Sequence, residues 1–269
     1  MTIPVTPTPL NLGDYEAAAR ELLDPATWDY FAGGCGDEVT LRANSEAFER
    51  LRLRPRVAVE DDPVSTATTG LGATVDLPVL VAPTAYHGLA HPDGECATAI
   101  GAGEAGTIMV VPLNSNRTLE DVAAAATGTV WLQLYLTQDH AADEEMVRRA
   151  EAASFGALVL TVDRPVYGAR EKDVRNAFRL PDHLRSANFG GTRDLRARSW
   201  TSWAALDWLR ETTRLPVLVK GILTGEDAVI AAERGAAAVI VSNHGGRQLD
   251  GALAGIEALP GVAGALEGL

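Results

Sequence analysis

The chain has 269 residues, of which 46% are hydrophobic and 22% are charged, and these fractions are typical of a globular protein. Its 23 basic and 36 acidic side chains give a formal net charge of −13, so neither nucleic acid nor an anionic membrane surface is expected as a partner. Because there are two cysteines, no CxxC spacing and no signal-peptide pattern, we expect a cytoplasmic protein without a disulfide framework.

The first 58 residues carry three predicted helices. After a Pro/Thr-rich lead over residues 1–10, residues 12–23 have the apolar spacing of an amphipathic helix. A short helix begins at Pro25, because proline is tolerated in a first turn, and ends at Gly33 and Gly34. A third helix is predicted over residues 37–48. We therefore predict a helical N-terminal segment over residues 1–58.

From residue 78 onward, short apolar runs alternate with Ala/Glu-rich helical stretches. The runs cover residues 79–83, 107–111, 130–135, 157–163, 217–221 and 238–243. Because they lack polar alternation, these strands are expected to be covered on both faces, as in a parallel sheet. Capping-box sequences at Thr118 and Thr224 begin two of the helices. This α/β pattern predicts a TIM-type (β/α) barrel over residues 78–269, within a single domain over 1–269, although periodicity alone does not separate a barrel from an open sheet.

A long interval over residues 164–215 separates the fourth and fifth predicted strands. It leaves from the carboxyl end of a strand, where barrel enzymes place their catalytic groups. It holds three arginines and three tryptophans: Arg164, Arg170, Arg175, Trp200, Trp203 and Trp208. We predict a lid or binding loop rather than a disordered insertion, because long loops in compact domains are commonly functional. The tryptophans and Tyr86 would suit an aryl substituent on a substrate, while lactate-sized acids are not excluded.

Polar side chains follow the predicted strands at their carboxyl ends, where a barrel would gather them at one mouth. They are Tyr86 after the first strand, Gln133 and Tyr135 on the third, Thr161 and Asp163 on the fourth with Arg170 after it, Lys220 on the fifth, and Ser242, His244 and Arg247 after the sixth. The two glycines between His244 and Arg247 allow a tight turn. The alternative for this last motif is a turn whose histidine and arginine are merely solvated.

The residue types at these strand ends suggest proton abstraction next to a carboxylate. Arg170 and Arg247 can hold a carboxylate, and His244 can then take a proton from the neighbouring carbon or hydroxyl. Asp163 would orient His244 and stabilise its imidazolium form. Lys220 is suited to a developing negative charge on a ring or an enolate.

Each of these assignments has a plainer alternative. Asp163 and Arg170 can form a simple ion pair, and Tyr135 can be a core residue with a satisfied hydroxyl. Lys220 can act as a Schiff-base lysine in a flavin-free lyase.

Two further motifs are set aside. The GxGxxG pattern at residues 101–106 ends a helix and precedes a strand, which is the reverse of the dinucleotide-binding order. His87 and His91 are four residues apart, but Gly88 and Pro92 disfavour the helix that would align them, so no metal site is expected.

With these motifs in place, the chain resembles the family of FMN-dependent α-hydroxy acid oxidases and dehydrogenases, which includes glycolate, lactate and hydroxymandelate oxidases. The resemblance runs from about residue 12 to the end. Its matching segments are residues 27–34, 82–95, 133–135, 161–163, Arg170, 218–221 and 242–251. Over residues 85–95 and 251–259 the chain is similar to hydroxymandelate oxidases in particular.

The resemblance implies oxidation of a small α-hydroxy acid to the α-keto acid, with FMN as cofactor. It implies His244 as the base, paired with Asp163. It implies Arg170 and Arg247 as carboxylate holders, Tyr30 and Tyr135 as substrate-contacting hydroxyls, and Tyr86 at the border of the substrate side chain. Residues at the flavin would be Ala82, Pro83, Thr84, Ala85, Gln133, Thr161, Lys220 and Ser242.

The chain departs from the family pattern in two places. Val111-Pro112-Leu113 stands where the family usually has a serine-containing turn at the flavin, and proline offers neither a hydroxyl nor an N–H. The family also continues with a DGGxR strand and a Gly-Arg turn that bind the flavin phosphate, and neither motif occurs here. We therefore expect about six of the eight βα units in this chain, with the C-terminal part of the barrel absent.

This second departure leaves the working form of the protein open. The chain is expected to act as a homo-oligomer, or to need a partner chain that completes the barrel. The alternative is a non-catalytic fragment.

Overall fold

The N-terminal segment begins with three helices. The computed structural model describes residues 8–58, 64–137, 139–189 and 199–269. Helix α1 covers Leu12–Leu22, α2 covers Pro25–Ala32 and α3 covers Val39–Glu49, which confirms the three predicted helices. The side chains of Asn11 and Asp24 accept hydrogen bonds from the first-turn amides of α1 and α2 and so define their starts. Most of the Pro/Thr-rich lead, residues 1–7, lies outside the described residues.

A short antiparallel hairpin, absent from the sequence predictions, precedes the main sheet. Strand β1 (Thr68–Gly70) pairs with β2 (Ala73–Val75). The connecting residues Leu71 and Gly72 both have positive φ, at 49° and 81°, as a two-residue hairpin turn requires. The glycine in this turn was the available sequence signal, but three-residue strands show too little alternation to be noticed.

The main sheet is parallel, with strand order β3-β4-β5-β6-β7 among the described residues. The strands are β3 (Met109–Val111), β4 (Val130–Leu134), β5 (Leu158–Thr161), β6 (Val217–Ile222) and β7 (Ala238–Val241). They alternate with α4 (Gly94–Glu104), α5 (Leu119–Ala125), α6 (His140–Ala152), α8 (Trp203–Thr212), α9 (Gly225–Glu233) and α10 (Gly255–Ala265). Thr118 and Thr224 cap α5 and α9 as predicted, because each hydroxyl accepts an amide hydrogen bond.

The first predicted strand, over residues 79–83, is reduced to a single bridge. Val81 pairs with Met109: its amide donates to the Ile108 carbonyl, and its carbonyl accepts from the Val110 amide. Pro78 and Pro83 flank this stretch, and proline cannot donate to a ladder. The expectation of six full strands is therefore corrected to five strands and one bridge within the described residues.

The sheet is buried on both faces, as its unbroken apolar runs predict. On the helix side Leu132, Leu158 and Val219 belong to a large core. On the other face Val110, Trp131 and Val159 form a second cluster, which Val75 of the hairpin also joins. This arrangement is the interior and exterior of a partial (β/α) barrel. Strand β7 is an edge strand of the sheet, and all four of its residues are half-buried.

The excursion over residues 164–215 is partly helical. It contains α7 (Glu171–Arg175), a 3₁₀ turn (Asp182–Leu184) and the whole of α8; residues 190–198 lie outside the described residues. Its three tryptophans pack against the core beside the helices, where Trp200 contacts Trp208 and His140. All three are partly buried against this core and none is among the residues that line the cavity at the strand ends, so their suitability for an aryl substituent stays a prediction. The lid function of this excursion and the domain boundaries stay predictions.

Candidate active site

A cavity opens at the carboxyl ends of the parallel strands, and most of the predicted site residues line it. These are Tyr30, Ala82, Pro83, Thr84, Ala85, Tyr86, Gln133, Tyr135, Arg170, Lys220, Ser242, His244 and Arg247. Thr161 and Asp163 stand directly behind this wall. Thr161 accepts a hydrogen bond from Gln133 Nε2 (3.0 Å), and Asp163 contacts His244. The structure therefore brings together all of the predicted site residues.

The turn after β7 projects His244 into the cavity. His244, Gly245 and Gly246 have successive positive φ values of 60°, 66° and 71°. Histidine rarely adopts this conformation, so its backbone is held by its surroundings. The Ser242 hydroxyl accepts a hydrogen bond from the His244 amide, and Asn243 Oδ1 accepts one from the Gly246 amide. A side chain at position 246 would lie 2.6 Å from the Leu41 backbone nitrogen, so the turn needs glycine there.

His244 is paired with Asp163 through one ring nitrogen. Nδ1 lies 2.7 Å from Asp163 Oδ1, which leaves Nε2 directed toward the Tyr135 hydroxyl at 3.2 Å. Burial lowers the pKa of His244, and the hydrogen bond and charge of Asp163 oppose that shift. Gly221 (φ 112°) makes the pairing possible, because a Cβ there would lie 2.6 Å from Asp163 Cγ. The pairing with Asp163 thus orients the imidazole, and burial favours its neutral form.

Two arginines occupy the opposite part of the wall. Arg170 Nη1 donates to the Tyr167 hydroxyl at 3.0 Å and lies 3.9 Å from an Asp173 oxygen. Its Nε is buried and has no hydrogen-bond partner among the described residues. Buried donors are normally satisfied, so this one is available to a ligand. The alternative of a simple Asp163–Arg170 pair does not hold, since Asp163 bonds to His244.

Arg247 is fixed by the end of α2. Its Nη1 donates to the carbonyl oxygens of Gly33 (2.7 Å) and Phe31 (3.3 Å). Its guanidinium carbon lies 5.3 Å from the centre of the Tyr30 ring. Burial raises the pKa of Tyr30 to about 12, so its hydroxyl stays a hydrogen-bond donor. Helix α2 therefore completes the site from the N-terminal segment.

A second group of polar side chains lies at the ends of β3, β4 and β6. Lys220 is buried and donates to Ser242 Oγ at 2.9 Å; burial lowers the pKa of this lysine, and the Asp163 charge opposes that shift. Gln133 is held from both sides, because its Oε1 also accepts from the Leu113 amide. Asn114 Oδ1 is buried without a hydrogen-bond partner among the described residues. Pro112 lies on the same wall, at the position where a family hydroxyl was expected.

Several lining residues were not among the predicted site residues. They are Phe31, Pro112, Asn114, Arg164, Tyr167 and Gly245. Arg164 was noticed in the excursion but given no place in the site. Asn114 is a polar residue that follows the carboxyl end of β3, as Tyr135 follows that of β4. Its position after a strand was therefore the sequence signal for a place in the site.

The fold and the cavity define an α/β barrel with an imidazole and two guanidinium groups in one pocket. A model of the family described as FMN-dependent dehydrogenase matches residues 19–268. This chain belongs to that family. Membership favours flavin chemistry over a flavin-free Schiff-base lyase at Lys220.

Individual relatives agree with this assignment. The chain is 42% identical to an L-lactate oxidase of Nostoc sp., over 97% of this chain and 77% of that protein. It is 43% identical to glycolate oxidase 1 of Zea mays, over 96% of this chain and 74% of that protein. A crystal structure of mandelate oxidase is 42% identical and superposes with a TM-score of 0.92 over 97% of this chain and 76% of that one. The expected partial barrel accords with this coverage.

Proposed function

We propose that this protein oxidises an α-hydroxy acid to the α-keto acid with FMN, using His244 as the base. The observation that carries the proposal is the pairing of His244 Nδ1 with Asp163, which leaves Nε2 directed into a cavity walled by Arg170 and Arg247. The related oxidases act on lactate, glycolate and mandelate by name, and all three are α-hydroxy acids. None of the described helices is long and apolar enough to cross a bilayer.

The carboxylate of the substrate would bind between the two guanidinium groups. Arg170 has an unpartnered Nε that can donate to the carboxylate, and its Nη1 donates to the Tyr167 hydroxyl, which fixes the side chain. Arg247 is held by α2 carbonyls through Nη1, which fixes the plane of its remaining donors. Tyr30 adds a hydroxyl donor. These contacts would set the α-carbon of the substrate near His244 Nε2.

His244 Nε2 would then receive a proton from the substrate. Asp163 accepts the Nδ1 hydrogen and stabilises the imidazolium that forms. The Tyr135 hydroxyl, 3.2 Å from Nε2, would turn to donate a hydrogen bond to the substrate oxygen, which leaves the Nε2 lone pair open for the proton. Tyr86 is buried on the cavity wall and would border the substrate side chain.

The polar groups at the ends of β3, β4 and β6 fit the ring of FMN. A flavin ring carries an N–H donor and carbonyl acceptors, and here Asn114 presents an unpartnered acceptor while Lys220 presents a buried cation. When bound, FMN supplies the two-electron acceptor of the reaction. The residues that would hold it are Ala82, Pro83, Thr84, Ala85, Gln133, Thr161, Lys220 and Ser242.

Anaerobic mixing of the FMN-loaded protein with lactate, glycolate and mandelate tests this function. Loss of the oxidised flavin absorbance is expected with at least one acid, and His244→Gln should slow it by about 1000-fold or more. His183→Gln, at an exposed position, is the matched control. Reduction at the wild-type rate in His244→Gln would remove this residue from the mechanism. A flavin-loaded protein that none of the acids reduces would reject the function.

We further propose that a partner chain pairs with the sheet edge formed by β7. The support is a groove beside β7, lined by Val239, Val241 and Leu259, with Phe48 60% exposed at its rim. Sedimentation of the chain, alone and with FMN, measures this. A stable monomer that binds FMN tightly would contradict the proposal. A protein that binds FMN only in an assembly would support it.

A further inference from the structure

Arg164 is a buried cation on the cavity wall, and the proposed function assigns it no role. Its residue exposure is 7%, and its guanidinium carbon lies 4.9 Å from the centre of the Tyr135 ring. The same carbon lies 5.7 Å from the centre of the Tyr167 ring. Both distances are within the range of a cation–π contact, which is strongest where water is excluded.

Each of the two rings carries a hydroxyl that contacts the proposed machinery. The Tyr135 hydroxyl lies 3.2 Å from His244 Nε2, the atom that would take the proton. The Tyr167 hydroxyl accepts from Arg170 Nη1 at 3.0 Å. Arg164 therefore packs between the proton-accepting part of the site and the carboxylate-binding part.

Arg164 is itself anchored from outside the cavity. Its Nη1 donates to Ser199 Oγ at 3.2 Å. The next residue, Trp200, donates its amide hydrogen to the Leu136 carbonyl at 2.8 Å, one residue beyond Tyr135. The excursion thus returns beside the end of β4 and fixes the cation over the tyrosine ring.

The charge of Arg164 also acts on the Tyr135 hydroxyl. Burial raises the pKa of Tyr135, and among the nearby charges Arg164 opposes this shift most strongly. A cation over the ring draws electron density from the phenol oxygen. The hydroxyl is then a stronger hydrogen-bond donor than a buried tyrosine alone would offer.

We propose that Arg164 is a positioning residue that holds the Tyr135 hydroxyl beside His244 Nε2, where it would donate to the substrate oxygen while Nε2 takes the proton. The inference rests on the proposed function for its kinetic consequence, but its structural content concerns only this chain. Arg164 contacts no reacting atom in this arrangement. It acts through Tyr135.

A double-mutant cycle between Arg164 and Tyr135 tests the proposal. Arg164→Met keeps the length of the side chain and removes the cation, and we expect flavin reduction to slow by roughly 10- to 30-fold. In a Tyr135→Phe background the same change should have less than about a twofold effect, because the hydroxyl it serves is gone. Arg164→Lys should recover to within about threefold of wild type. Arg20→Met is the matched control, since Arg20 stacks on Trp28 outside the cavity.

A measurement without turnover separates this inference from the proposed function. The imidazole ¹⁵N resonances of His244, assigned with His244→Gln, report the hydrogen bond at Nε2. Tyr135→Phe should shift the Nε2 resonance, and Arg164→Met should shift it in the same direction while Arg164→Lys should not. Unchanged resonances in Arg164→Met, or an equal kinetic loss with and without the Tyr135 hydroxyl, would overturn the proposal.

If Arg164→Met does not fold, Arg164→Lys in the two Tyr135 backgrounds carries the cycle, with a threefold loss expected in the first and none in the second. If wild type reduces no flavin with any acid, the proposed function fails, and the ¹⁵N comparison still decides the role of Arg164.

Discussion

The cavity has two parts that are organised differently. In the first part, which holds His244, Asp163 and Arg247, contacts between distant elements of the chain fix the side chains. The Asp163–His244 pair joins β5 to the turn after β7, and Arg247 is bound to the end of α2. In the second part, which holds Lys220 and Asn114, Lys220 donates to Ser242 and Asn114 Oδ1 has no partner among the described residues.

This difference shows which part the chain organises by itself. A buried polar atom without a partner costs about 1–3 kcal/mol, so unpartnered groups persist where a ligand satisfies them. His244 is oriented by Asp163 before any ligand arrives, although Asp163 Oδ2 is itself buried without a partner among the described residues. The proposed flavin-ring part gains its missing contacts from the cofactor. Mutations in the two parts should therefore have separable effects on reaction and on FMN binding.

Asp163→Asn is expected to have the largest effect and to be confined to the first part. The amide is uncharged and cannot stabilise the imidazolium, and its N–H₂ group can donate to Nδ1 and so favour the wrong tautomer; we therefore expect flavin reduction to slow by about 1000-fold or more. FMN binding, measured by quenching of flavin fluorescence, should stay within a few-fold of wild type. Asp207→Asn, at a surface pair with Arg234, is the control. A variant that loses FMN instead would show that the two parts are not separate.

Arg170→Lys should weaken carboxylate binding by roughly 10- to 100-fold, because a lysine cannot supply both donors of the fork. Calorimetry with a non-reacting α-keto acid measures this directly. Arg175→Lys is the matched control for an arginine-to-lysine change away from the cavity, since Arg175 is exposed and pairs with Glu171 within α7. Equal affinities in Arg170→Lys and wild type would move the carboxylate site elsewhere.

The sequence predicts the main groups of both parts. Both the His244 motif and Lys220 follow apolar runs, so the rule that parallel strands gather their carboxyl ends at one mouth placed them together. Asp163 was assigned to His244 from residue chemistry, and the 2.7 Å contact agrees with that pairing. FMN as the cofactor was inferred from the resemblance of these motifs to the family.

Other features depend on contacts that no local pattern encodes. The place of Arg164 over Tyr135 is set by a return of the chain at Ser199, 35 residues later. The tryptophans looked like binding residues, but aromatic content alone does not distinguish a cavity wall from the core. The loss of the first strand was visible in Pro78 and Pro83, whose consequence for the ladder was not drawn from the sequence.

Lys220→Met should affect mainly the second part. Removing the cation is expected to weaken FMN binding by about 10-fold, while binding of the α-keto acid to the FMN-saturated protein changes little. The FMN-free variant should be at least as stable as wild type, since a buried cation carries a desolvation cost. Thermal unfolding and fluorescence titration measure both effects. Lys172→Met, at the partly exposed pair with Glu38, serves as the control.

The pH dependence of flavin reduction should show the smallest effect, and it concerns the base alone. His244 must be neutral to take a proton, and burial lowers its pKa from the ordinary value of 6.5. The rate should therefore rise with pH through a midpoint below 6.5 and stay level above it, so that more than half of the plateau rate remains at pH 6.5. Because Asp163 raises the pKa of His244, the residual activity of Asp163→Asn should have a midpoint at still lower pH. A midpoint above 6.5 in wild type would mean that the imidazole is held in its charged form, and the base would have to be sought in another group.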